Sequence, residues 1–346
     1  MRPLTIAKKT KANILLVLVF LCSPIMAIGA DFSERTRLAN QGNAVAQTDL
    51  AGMYYAGKGV PQDYQKAVEW YTKAANQGYA DAQVKLGFMY DEGQGVGQDY
   101  QKAFEWFTKA ANQGDASAQV NLGAMYAMGK GVVQDYKKAF EWYTKAVNQG
   151  DAKAQNNLGL MYGNGEGIAQ DYKKALEWFT KAANQGDAQS QFNLGVMYIE
   201  GQGVPQDYKK ALEWFTKAAN QGDAQAQFNL GLMYDTGQGV RQDYKKAFDW
   251  FTKAANQGEA LAQMKLGFMY EDGHGVRQND KKSVEWLTKS ANQGYADIQH
   301  LLGIIYEEGD GAPQDYKKAK EWYGKACDNG DQRGCDAYKN LNQKGF

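Results

Sequence analysis

Apolar residues between Ala82 and Ala110 fall into two blocks of different spacing. In the first, Ala82, Leu86, Met89 and Tyr90 stand at i, i+4, i+7 and i+8, one face of a helix at 100° per residue. In the second, Tyr100, Ala103, Phe104, Trp106, Phe107 and Ala110 mark a broader surface, wide enough to touch two neighbouring helices. Between the blocks, Gly93-Gln94-Gly95-Val96 places two glycines one residue apart, which end the first helix and permit φ > 0 in a tight connection. Asp99 is a suitable N-cap for the second helix, and Asn112-Gln113-Gly114 puts glycine where a left-handed C-cap requires it. These are helix A and helix B.

The pair recurs. Glycines of the Gln-Gly step stand at 42, 78, 114, 150, 186, 222, 258 and 294, always 36 residues apart. Eight units (39–74, 75–110, 111–146, 147–182, 183–218, 219–254, 255–290 and 291–326) share the pattern ANQGxAxAQxxLGxMYxxGxGVxQDYxKAxEWxTKA over 288 of 346 residues. Self-similarity at this period predicts an all-α solenoid of antiparallel helix pairs, flanked by an N-terminal cap at 31–38 and a C-terminal capping helix within 327–346. Gly87, repeated at 123, 159, 195, 231, 267 and 303, sits inside helix A at about 1 kcal/mol relative to Ala. Close approach of helix B through Ala103 or Ala110 is the expected compensation, and Ala51 in the first unit predicts a slightly wider pair there. Glu105 and Lys109 stand at i, i+4, as do Glu69/Lys73, Glu141/Lys145, Glu177/Lys181 and Glu213/Lys217, predicting a solvated face of ion pairs.

These residues resemble the Sel1-like repeat, a relative of the tetratricopeptide repeat with a longer loop. The resemblance implies a right-handed superhelix that serves as a protein-binding adaptor or scaffold. In bacteria such proteins are often exported, and some engage host proteins or envelope-assembly partners. Past the eighth unit, Cys327 and Cys335 form a C-x7-C spacing similar to that of the Helicobacter cysteine-rich proteins, in which such a pair joins helix B of one unit to helix A of the next. That resemblance implies a Cys327–Cys335 disulfide pinning the C-terminal cap, worth somewhat under about 3 kcal/mol for so short a loop. Cysteine-rich members have also been described as penicillin-binding or β-lactamase-like. Serine β-lactamase chemistry needs Ser-x-x-Lys and usually Lys-Thr-Gly, and neither string occurs.

Residues 1–30 have the three parts of a signal peptide: a basic start (Arg2, Lys8, Lys9, Lys11), an apolar run from Ile14 to Cys22, and Ala27-Ile28-Gly29-Ala30 before the expected cleavage point. An apolar run this short falls well below the roughly 20 residues of a spanning helix, so export to the periplasm or medium is expected, without stable membrane insertion. Lipidation at Cys22 is the alternative, against which bulky Leu21 stands where lipoprotein signals carry a small residue. After cleavage two cysteines remain, an even count suited to an oxidising compartment.

Removing the four basic residues of the leader leaves 35 basic against 39 acidic side chains. No basic run outside the leader supplies a nucleic-acid footprint. Two histidines, His274 and His300, are too few for a multi-histidine metal site. The Gly-x-Gly loops follow no strand and precede no Gly-Lys-Ser/Thr, so they read as turns, not phosphate loops. The acid pairs Asp91/Glu92, Glu271/Asp272 and Glu307/Glu308 read as a solvated rim, with a weak cation site as the alternative. No catalytic, cofactor or metal site is expected, and the chain reads as a non-enzyme.

A partner surface is sought where the repeat is not constrained by its own packing. Positions two before and two after the core leucine of helix A point roughly away from it, and from the second unit onward they are largely apolar. Val84, Phe88, Val120, Leu160, Phe192, Val196, Phe228, Leu232, Met264 and Phe268 form this strip, flanked by Lys85, Asn121, Asn157, Asn193, Asn229 and Lys265. Such a strip suits a concave groove for a protein or peptide partner. It equally suits packing against the next unit's helix A.

Overall fold

The computed structural model describes residues 23–346, with side chains from 32 onward. The basic start of the expected leader, most of its apolar run and Cys22 lie outside the described residues. Eighteen α-helices and no strand occur among those described. Helix α1 (Ser23–Asn40) runs through the expected cleavage point, and eight pairs follow. The A helices are α2 (Ala44–Ala56), α4 (Ala80–Glu92), α6 (Ala116–Met128), α8 (Ala152–Asn164), α10 (Ala188–Glu200), α12 (Ala224–Thr236), α14 (Ala260–Asp272) and α16 (Ala296–Glu308). The B helices are α3 (Tyr64–Asn76), α5 (Tyr100–Asn112), α7 (Tyr136–Val147), α9 (Tyr172–Asn184), α11 (Tyr208–Asn220), α13 (Tyr244–Asn256), α15 (Asp280–Ala291) and α17 (Tyr316–Asp328), after which α18 (Gln332–Gln343) closes the chain. They form two compact units, one ending at Asp151 and holding α1–α7, the other beginning at Ala152 and holding α8–α18.

The helix ends follow the sequence. Asp99 accepts the Lys102 backbone N–H at 3.0 Å, and this bond holds its carboxyl below the usual range, as equivalent bonds do for Asp63 and Asp243. Gly93 turns left-handed at φ 73° and returns its N–H to the Met89 carbonyl. Gly95 is also left-handed, at φ 71°, and any side chain there would run into the Tyr64 carbonyl of the preceding repeat, so both conformation and space demand glycine.

Packing explains the glycine inside helix A, and corrects the expectation for it. Gly87 faces neither Ala103 nor Ala110 but the Phe107 ring, whose Cε1 would lie 2.8 Å from a Cβ at Gly87. Tyr143, Phe179, Phe215, Phe251, Leu287 and Tyr323 meet the glycines of later repeats in the same way. Burying a side chain of that size stabilises by roughly 1.5–3 kcal/mol, enough to offset about 1 kcal/mol for the glycine. Helix B is sandwiched as its broad apolar surface predicted: Phe107 packs with Leu122 and Met125 of the next repeat, and Phe104 meets Tyr126 edge-on at 5.4 Å.

The expected Glu–Lys pairs are not formed among the described residues; each lysine instead lies over a tryptophan three residues earlier. Lys109 is 3.8 Å from the Trp106 ring centre, and Lys73, Lys145, Lys181, Lys217, Lys253, Lys289 and Lys325 lie within 3.6–3.9 Å of theirs. A half-buried ring gives the lysine stem an apolar surface and its ammonium a π-face, which glutamate cannot do.

A buried amide ladder completes the framework. Gln83 donates to the Ala75 carbonyl of the preceding helix B at 3.0 Å and accepts from Gln113, at the end of its own helix B, at 2.7 Å. The side-chain bond recurs in all eight repeats at 2.7–2.9 Å, with Asn329 as the last donor. Each acceptor glutamine is buried, so its pairing is required.

Candidate partner-binding surface

The structure divides the apolar strip by burial. Val84 is 5% exposed and belongs to the core with Phe107 and Leu122, so it is corrected from a candidate contact to an inter-repeat packing residue. Phe88, Val120, Phe192, Val196, Phe228, Leu232, Met264 and Phe268 are half-buried. Phe88 leans edge-on against Phe107 at 5.1 Å, and Phe192 and Phe228 tilt over Phe215 and Phe251 at 5.7 Å. Val196 and Leu232 rest on the clusters built around Phe215 and Phe251, and Met264 and Phe268 on the one around Leu287 and Leu302. Leu160 is the most open, at 37%.

Leu160 lies beside a cavity of about 450 Å³ bounded by α8, α9 and α10, whose walls include Gly163, Tyr172, Phe179, Val196 and Met197. Two differences from the second repeat lie at or next to it, Gly163 on its wall and Asn156 behind the lining residue Asn193. Gly163 replaces the Asp91 of the second repeat, and a Cβ there would touch only Ala175, at 3.8 Å. Asn156 replaces Val84 and accepts from Ser190 Oγ and Asn193 Nδ2, both at 3.0 Å, a buried polar node in place of an apolar contact. The strip was visible in the sequence; the cavity was not, since a glycine such as Gly163 on its wall shows only in three dimensions how much space it leaves.

The two histidines belong to ring contacts. His274 stacks on Tyr244 with centroids 4.6 Å apart, and His300 tilts against Tyr323 at 5.5 Å. At the C-terminal end, Cys327 and Cys335 are joined in a disulfide with their Cα atoms 4.5 Å apart, tying α17 to α18. Leu341 of α18 is buried against Ala319 and Tyr323. The acidic helix-A ends are more than a solvated rim: Asp91 pairs with Lys130 at 2.8 Å and Asp235 with Lys265 at 3.2 Å.

The Sel1 repeat pattern matches eight consecutive stretches of the sequence, 44–79, 80–115, 116–151, 152–187, 188–223, 224–259, 260–295 and 296–331. The chain belongs to the Sel1 repeat family. In this frame each Sel1 repeat opens on helix A, five residues later than the units drawn from the Asn-Gln-Gly spacing. A Sel1 repeat protein from Oxalobacter formigenes is 32% identical, covering 98% of this chain and 97% of its own, with a TM-score of 0.65. The structure of c5321, a protective antigen present in uropathogenic Escherichia coli strains displaying an SLR fold, is 34% identical over 90% of this chain and 82% of its own, with a TM-score of 0.50. Helicobacter pylori cysteine rich protein B is 24% identical over 38% of this chain and 94% of its own, with a TM-score of 0.31. No curated protein matches the sequence. Sel1 repeat proteins are generally non-catalytic scaffolds that bind other proteins. No helix among the described residues is long and apolar enough to cross a membrane.

Proposed function

We propose that this Sel1 repeat chain is an exported interaction scaffold, carried by its leader to the periplasm or the medium, which seats a protein or peptide partner on the half-buried strip of its A helices around Leu160. The observation that carries the reading is the 450 Å³ cavity beside Leu160 and Val196, apolar on several walls and rimmed by Asn164, Asn193 and Gln202. An apolar anchor entering it would complete the burial of both side chains without displacing the core. Export is supported by the three-part leader and the even cysteine count. It is supported further by the likeness to c5321, described as a protective antigen.

The test is crosslinking and capture from a cell-envelope extract, using residues 31–346 and a Leu160→Asp/Val196→Asp double variant. The variant is expected to keep its helicity and melting temperature and to lose the partner, because both positions have a flank open to water. Leu194→Asp is the folding control: Leu194 is 1% exposed, and an unpaired charge there should unfold the local repeats at a cost of several kcal/mol. A folded double variant that still captures the partner at full strength refutes the proposed face.

A further inference from the structure

Four A helices carry an acid at one equivalent position: Asp91, Asp235, Glu271 and Glu307. Three find a partner within the chain. Asp91 meets Lys130 of the next loop, whose ammonium also lies 4.2 Å from the Tyr100 ring centre. Asp235 meets Lys265, and Glu307 accepts the Tyr323 hydroxyl at 2.7 Å with Lys344 at 3.9 Å. Glu271 has no cation among the described residues. Burial, with Asp272, Asp310 and Asp280 around it, pushes its carboxyl upward.

Aligning the seventh and eighth repeats with the second and third shows how this arose. Asp280 stands in place of Tyr100, Ser283 in place of Ala103 and Asp310 in place of Lys130. Glu271, Asp280, Ser283 and Asp310 line a pocket of about 240 Å³ together with Val284 and Ile305. Ser283 is only 3% exposed, and its hydroxyl has no hydrogen-bond partner among the described residues.

We propose that this pocket is a socket for the ammonium group of a lysine side chain supplied by a protein partner. The equivalent place in the second and third repeats already holds an ammonium, that of Lys130, so the fold at this position accommodates the group. Here the internal lysine is replaced by Asp310, and three carboxylates line the pocket with the Gln278 amide, which makes a long 3.5 Å hydrogen bond to Asp280 Oδ1 and leaves Glu271 and Asp310 to a cation. An ammonium has three donors and no acceptor, which suits separate carboxylates and the idle Ser283 hydroxyl. Val284 and Ile305 give the methylene stem an apolar wall. A metal ion fits less well: among the described residues no group of three or more acidic, histidine or cysteine side chains is arranged to hold one. The neighbouring Lys282 is engaged elsewhere, 5.1 Å from the Tyr270 ring centre.

The proposal deepens the scaffold reading by naming the chemistry of one contact. It involves none of the A-helix strip, so the two tests fail separately. Residues 31–346 are titrated at low ionic strength with acetyl-Gly-Gly-Lys-Gly-Gly-amide and with its norleucine analogue, followed by amide NMR. The lysine peptide should shift the amides of Ser283, Val284, Ile305 and Gly311 saturably, and the norleucine peptide should leave them in place. Asp310→Lys, which rebuilds the Lys130 arrangement, should weaken the lysine peptide by about tenfold or more. Ser283→Ala, which restores the residue of the other repeats and preserves the fold, should weaken it too. Shifts that spread over the acidic surface without saturating, undiminished binding to Asp310→Lys, or calcium ions moving the same amides and excluding the peptide would each overturn the assignment.

Discussion

Replacing Gly231 with alanine sets two effects of known size against each other. Helix propensity favours the substitution by about 1 kcal/mol, because Gly231 lies within α12. Packing opposes it. The new methyl would lie 2.6 Å from Cδ1 and Cε1 of Phe251, whereas carbon contacts settle at about 3.5–4.0 Å, so the ring would have to retreat by roughly 1 Å. Phe251 is 0% exposed and held among Ala247, Ala254, Leu266 and Met269, which leaves little room for retreat. Overpacking of this kind costs about 1–3 kcal/mol, so Gly231→Ala should destabilise by about 1 kcal/mol net. In a Phe251→Ala background, itself about 3–5 kcal/mol less stable, the clash is gone and the same substitution should stabilise by about 1 kcal/mol. The expected coupling is therefore about 2 kcal/mol, with a change of sign. Urea unfolding followed by circular dichroism measures it, and hydrogen exchange in α12 and α13 reports loss of this repeat alone. The first repeat shows how alanine can be tolerated: Ala51 is fully buried there, and Gly52 follows it, where a Cβ would lie 3.5 Å from the Tyr71 hydroxyl. If Gly231→Ala shifts stability equally in both backgrounds, the ring contact is not what requires glycine.

Gln191→Leu and Gln221→Ala should each destabilise by about 1–3 kcal/mol, the first because it leaves the Ala183 carbonyl without its buried donor, the second because it leaves the buried Gln191 Oε1 without the Gln221 amide; paired urea titrations check both, and a Gln221→Ala chain as stable as the parent would mean that the ladder bond is dispensable. Glu271→Gln should raise the melting temperature at neutral pH. The folded carboxyl titrates above its ordinary value of 4.5, so its ionisation removes stability as pH rises through that region, and glutamine avoids the loss. The difference should vanish in acid, where both forms are neutral, and a gap that persists below that value would mean the effect is not one of charge.

Much of the fold was legible because each repeat punctuates itself: two left-handed glycines, an Asp cap (Asn279 in the seventh repeat) and a terminal Gly mark the boundaries of helices A and B independently of packing. Tertiary partners were less legible. Spacing along one helix put Lys109 beside Glu105, but the choice of Trp106 instead depends on how far that ring stands out from the neighbouring repeat. The glutamine ladder was hidden for a related reason, since a glutamine in an otherwise apolar face reads as a tolerated polar residue until its two partners, eight residues back and thirty ahead, are brought to it.

The candidate sites were the hardest to read, because a consensus averages away the departures that make them. In a single globular domain, an Asn156 or an Asp310 gives no measure of what its position ordinarily does. An array supplies that measure within itself: Val84 shows the apolar seam that Asn156 interrupts, and Lys130 shows the ammonium that Asp310 displaces. Stability is shared among many near-identical repeats, so one repeat can give up an apolar contact or an internal ion pair at a cost the remaining interfaces absorb. In such a chain the departures are where a binding site can be gained without loss of the fold, and the partner chemistry proposed at the two places differs accordingly: an apolar anchor beside Leu160, where Gly163 leaves the wall open, and positive charge at Glu271, where Asp310 stands in place of a lysine.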